Sequence, residues 1–125
     1  INAVNEDPIK AKALITLANG DPNAIKGSMI HFAAKNKDPL ALSIVKEAEK
    51  ALIFATKSLV NIINPSVIIF GGGIIDANPD IVERIAKGVQ KNALKAATKN
   101  LEFRVSSLKG EAGSYGAAAL VFKNI

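Results

Sequence analysis

The run SVIIF at 66–70 constrains this chain more than any other stretch. Its apolar, mostly β-branched residues stand at successive positions instead of alternating with polar ones. Both faces of the strand they form should therefore be buried, as in the middle of a parallel sheet. A helical pattern at 79–97 follows, and then LEFRVSS at 101–107. There Leu101, Phe103 and Val105 alternate with Glu102, Arg104 and Ser106, as in a half-exposed strand. Strand, helix and strand make a βαβ crossover, expected to be right-handed with parallel pairing. One neighbour is too few for a strand this apolar, because a two-stranded sheet is marginal in water. The missing neighbour is expected from another copy, making a homo-oligomer, or from sequence upstream of Ile1. The chain opens on Ile rather than Met, as a fragment would.

The remainder reads as helical. EDPIKAKALITLANG at 6–20 has Asp7 as cap, Pro8 at the first helical position and Gly20 as stop. The Asp-Pro start recurs in NGDPNA and NKDPLA, but a shared cap is not a structural repeat. Ser28 is expected to cap a helix beginning at Met29. Asp38 and Pro39 open the longest element, 39–63. Along it Ala41, Val45, Ala48, Leu52, Ala55, Leu59 and Ile62 form a seam at helical spacing, and Asn64 with Pro65 stops it. Asn78 is expected to cap the helix at 79–97. KGEAGSYG reads as a loop, and 114–123 as a helix of small residues. The expected organisation is one partial domain, helical over 8–63 and βαβα over 66–123.

Composition serves mainly to exclude. The 125 residues suit one domain. No cysteine is present, so disulfides and thiolate metal sites are ruled out, and a single histidine rules out a His-rich metal centre within the chain. The lack of cysteine fits a reducing compartment, and a cytoplasmic location is expected. No secretory signal appears, and apolar runs fall short of the roughly 20 residues of a membrane span, so no membrane partner is expected. The net charge of +5 permits anionic partners without specifying one.

Gly71, Gly72 and Gly73 follow the apolar strand directly. Glycines at the carboxyl end of a parallel strand allow positive φ and let a ligand touch the main chain. The same glycines would serve a plain strand-to-loop turn. A Walker A loop requires Gly-Lys-Ser/Thr next, where this chain has Ile74, Ile75 and Asp76, and the dinucleotide fingerprint fails because position 76 is not glycine. In GEAGSYGAAAL, Gly113, Gly116 and Ala117 suit close helix packing, and the helix start suits an anion. Arg84, Lys87, Lys91, Lys95 and Lys99 form a basic stripe that reads as a solvated face, with no interleaved aromatics for nucleic acid. His31 has no carboxylate three or four residues away to orient it and reads as a packing residue. Asp76 and Asp80 flank the loop after the glycines without forming an acid/base pair, and no nucleophile is paired with a base.

Taken in order, LVNIINPSVIIFGGGI and GEAGSYGAAALV resemble the end of ROK-family proteins, which are sugar kinases and NagC/XylR-type transcriptional regulators. KNKDPLALSIVKEAEKAL resembles the family's Gly-Asp-x-x-Ala segment, with Lys37 in place of the usual glycine. The likeness covers most of 28–123. It implies an α/β fold, the helix-rich C-terminal part of an actin-like ATPase (ribonuclease H-like) domain. It further implies that Gly71, Gly72 and Gly73 lie beside a nucleotide, with Gly113, Gly116 and Ala117 packed behind them. In a kinase, ATP and Mg²⁺ would be used on a sugar. The family's phosphate loop, catalytic Asp and zinc motif are absent here, so the fragment is expected to be inactive alone and to hold neither cofactor firmly. A missing N-terminal part would be its partner. The alternative is the effector-binding and oligomerisation segment of a repressor, reaching DNA only through an upstream domain. The intact glycine cluster favours the kinase.

Overall fold

The computed structural model describes residues 9–123. The elements in order are α1 (Lys12–Leu17), a 3-10 turn (Pro22–Ala24), α2 (Gly27–Lys35), α3 (Pro39–Ile63), β1 (Val67–Phe70), α4 (Gly73–Ala77), α5 (Asp80–Asn92), α6 (Lys95–Thr98), β2 (Glu102–Val105), a second 3-10 turn (Lys109–Glu111) and α7 (Ala112–Lys123). The chain divides into two compact units, one up to Ala51 and the other from Leu52. Among the described residues, no helix is long and apolar enough to cross a membrane.

In the first unit, Ala11, Leu14, Ala33 and Ala41 form a buried cluster, with Ile30 and Ile44 against it. The expected cap and first turn at Asp7 and Pro8 lie outside the described residues. Helix α1 ends in a Schellman motif: the Asn19 N–H donates to the Thr16 carbonyl (3.1 Å) and the Gly20 N–H to the Ile15 carbonyl (2.9 Å). The left-handed residue there is Asn19 (φ 52°) before Gly20 (φ 86°), so the stop is shared between them. Ser28 is not a cap, because α2 starts one residue earlier and Lys26 takes the capping position without a side-chain bond. Asp38 does cap α3, its Oδ1 accepting from the Ala41 N–H at 2.8 Å.

The second unit holds the sheet. Strands β1 and β2 pair in parallel, Ile68 beside Phe103 and Phe70 beside Val105. One sheet face, carrying Ile68, Phe70 and Phe103, packs on Val60, Ile75, Ile81, Val82, Ile85, Val89 and Leu101. The Phe70 and Phe103 rings stack with centroids 6.4 Å apart. The other face departs from the sequence reading. Ile69 remains 64% exposed, because no second layer covers it among the described residues. The outer edge of β1 likewise has no partner strand among them.

Three helical expectations change. The buried stripe of α3 in this unit runs through Ile53, Thr56 and Val60, while Leu52, Leu59 and Ile62 of the expected seam face outward. The helix expected at 79–97 breaks after Asn92: Ala93 is extended, and the Leu94 N–H donates to Oδ1 of Asn61 on α3 at 3.0 Å. A tertiary hydrogen bond thus sits at a break where neither glycine nor proline stands. Asn78 does not cap α5, since its side chain turns back to donate to the Ile74 carbonyl at 3.2 Å.

Candidate functional site

The carboxyl ends of both strands lie side by side, and the glycine cluster leaves the sheet there. The last rung is the Ser106 N–H donating to the Phe70 carbonyl at 2.7 Å. The three glycines then differ from one another. A Cβ placed on Gly71 would stand 3.1 Å from Ser106 Cβ, tighter than ordinary contact. Gly72 has φ 101° and ψ 164°, a region essentially closed to residues with a side chain. Gly73 begins α4, and a Cβ there would meet open space. All three are exposed. The backbone is thus bare of side chains where it turns off the strand, which leaves room for a bulky ligand at the main chain.

Around this point stand half-buried Asp76 on α4 and the turn Lys109–Glu111, which contacts α4. Gly113, Gly116 and Ala117 sit differently from the sequence reading. Helix α7 already begins at Ala112, so the glycines fall within its first turns instead of in a loop before it. A Cβ on Gly113 or Gly116 would meet nothing within 4 Å, and Ala117 is exposed. The close packing expected of these small residues does not occur among the described residues. The segment is predominantly apolar and exposed, from Tyr115 to Phe122.

The other candidates do not join this site. The basic stripe is split by the break after Asn92, and Lys87 pairs with Glu83 at 2.7 Å and Arg84 with Asp80 on the same helix. His31 is half-buried on α2. Among the described residues, no group of three His, Cys, Asp or Glu stands where it could hold a metal. Sequence reasoning missed Ser106, whose importance appears only when parallel pairing sets it against Gly71, and Gly88 of α5, whose small size admits Ile53.

A parallel strand pair whose glycine-rich end opens to solvent, with helices packed on one face, is a segment of an α/β fold, and its structural match to a glucokinase makes it the actin-like ATPase type. The ROK family model matches residues 5–124, and the chain belongs to that family. It is 35% identical over 92 residues to a glucokinase of Halalkalibacterium halodurans, covering 74% of this chain and 28% of the relative. It is 27% identical over 117 residues to a glucokinase of Streptomyces coelicolor, covering 93% of this chain and 37% of the relative. Among solved structures, the ROK family glucokinase from Streptomyces griseus in complex with glucose and AMPPNP aligns with a TM-score of 0.77 and 28% identity. That alignment covers 95% of this chain and 38% of the other. The chain therefore spans about a third of the length of these relatives.

Proposed function

We propose that this chain is the C-terminal segment of an ATP-dependent sugar kinase whose whole polypeptide transfers the γ-phosphoryl of ATP to a sugar hydroxyl. The observation that carries the reading is the bare main chain at Gly72 and Gly73, at a parallel strand end, in a chain whose quoted relatives are glucokinases. Gly71, Gly72 and Gly73 form one wall of the nucleotide site. Gly113, Gly116 and Ala117 lie toward its rear, where small residues leave room for the remaining polypeptide. The relatives named above favour the kinase over the repressor.

The chemistry requires positioning of the nucleotide, charge neutralisation by Mg²⁺ and a carboxylate to take the hydroxyl proton. The chain's own part is the first of these. A wall without side chains lets the base and ribose pack against backbone, and the fixed turn at Gly72 holds that wall in place. The missing N-terminal part supplies the base and the sugar pocket.

The test is a coupled assay on the full-length polypeptide carrying this segment, with glucose and ATP. Glucose-dependent ATP consumption is expected, and its absence across a panel of hexoses overturns the reading. The 125-residue chain alone is expected to show no turnover above a mock preparation.

A further inference from the structure

Ser106 stands where the two strand ends meet. Its N–H closes the last rung of the sheet on the Phe70 carbonyl at 2.7 Å. Its Cβ fills the space that a side chain on Gly71 would need, 3.1 Å from the ideal Cβ position. Its Oγ accepts from the Leu108 N–H at 3.2 Å, turning the chain into Lys109–Glu111, and that turn contacts α4. The path from Gly71 to Ser106 to Leu108 and back to α4 therefore links the two ends of the glycine turn.

The three glycines then have separate reasons to be glycine. Gly72 is set by its backbone conformation. Gly73 faces open space, so nothing among the described residues requires it to be small. Gly71 has an ordinary φ, and its constraint comes from a neighbour within the same chain. We infer that the strand ends at the proposed nucleotide site have room for a single Cβ between them, supplied by Ser106: this spacing positions the two strand-end loops, and Gly71 is glycine because of Ser106 and not because of a ligand. The inference rests on the kinase reading for the ligand, but the Gly71–Ser106 pair can be tested separately from it.

The experiment uses the full-length polypeptide and a suppressor pair. Gly71→Ala pushes the two loops apart by a few tenths of an ångström, and the KM for ATP is expected to rise about tenfold while the KM for sugar stays the same. Adding Ser106→Gly removes the opposing Cβ and is expected to bring the KM for ATP back to within about twofold of the parent, a coupling between sites in contact. Adding Ser106→Ala instead keeps the Cβ and is expected to rescue nothing. If Gly71→Ala does not fold, the double variant with Ser106→Gly is read directly: a folded protein with the parent's KM for ATP supports the inference, and one that still fails to fold overturns it. Rescue of thermal stability without rescue of the KM for ATP overturns it too, leaving a merely structural contact. So does a folded double variant that stays impaired, which would assign Gly71 to the ligand. A parent protein with no ATP-dependent turnover brings down the kinase reading and the positioning role together, whereas failure of rescue in an active parent brings down only the latter.

Discussion

Ile53 occupies the space that a side chain on Gly88 would need. A Cβ on Gly88 would fall 2.4 Å from Ile53 Cδ1, 2.8 Å from Cγ1 and 3.1 Å from Cγ2. Helices α3 and α5 meet at this point, above the buried cluster of Val60, Ile85 and Val89. Because three atoms of a β-branched side chain are involved, turning the terminal methyl alone does not relieve the clash.

Gly88→Ala should therefore destabilise the protein despite alanine's better helix propensity. Overpacking costs about 1–3 kcal/mol, and the propensity gain offsets about 1 kcal/mol of that. A net loss of about 1 kcal/mol is expected in urea denaturation, and the same substitution should cost nothing in an Ile53→Ala background, where the space is open. A variant as stable as the parent would show that the two helices separate freely.

Lys37 is a site where stability can be gained. It has φ 63° at the end of α2, and it holds a Schellman motif in which its N–H donates to the Ala34 carbonyl (3.0 Å) and the Asp38 N–H to the Ala33 carbonyl (3.0 Å). A left-handed residue with a Cβ costs about 1–2 kcal/mol, and glycine's greater freedom in the unfolded chain returns about 0.4–1 kcal/mol of that. Lys37→Gly is expected to raise the melting temperature by a few degrees. An unchanged or lower melting temperature would mean that the lysine side chain contributes more than its backbone strain costs.

Gly72 gives the most direct reading of the glycine cluster. Its φ of 101° with ψ 164° makes any side chain costly, about 1–3 kcal/mol for alanine. Gly72→Val is expected to abolish ATP binding in the full-length polypeptide. Calorimetric titration with an ATP analogue checks this. Unchanged affinity in a normally folded variant would leave the cluster as a turn only.

Glu83 provides a small pH dependence of known sign. The hydrogen bond from Lys87, and then its charge, hold the Glu83 carboxyl below the usual carboxylate range. A carboxylate with a lowered folded pKa adds stability that is present above its unfolded pKa and is lost as pH falls through the folded value. The acid limb of the stability curve should therefore flatten slightly in Glu83→Gln, and by less in high salt, since the pair is exposed and screened. A steeper limb in the variant would contradict the assignment.

These sites differ in how far they can be read without coordinates. The parallel pairing of β1 and β2, the Asp38 cap and the end of α3 at Asn64 follow from strand composition, capping chemistry and an Asn-Pro stop, all local in the chain. The rotational phase of α3 does not. Leu52, Leu59 and Ile62 fit helical spacing as well as Ile53, Thr56 and Val60 do, because this half of the helix is apolar on two sides. Periodicity cannot choose between two valid stripes; contact with α5 does. The break at Ala93 was equally hidden, since it depends on Asn61, which lies 33 residues before its partner Leu94. At the candidate site, Gly72 announces itself by residue type, whereas Ser106 looks like any polar residue at a strand end until its partner Gly71 is in place.

The outer edge of β1 has a practical consequence. The sequence there is Val-Ile-Ile-Phe, without a charge, a proline or a bulge to repel another strand, and Ile69 lies bare beside it. An edge of this kind is self-adhesive. Yield of the isolated chain should be governed by colloidal behaviour more than by folding free energy. A single lysine at Ile69 would be the economical way to keep it in solution without touching the buried face.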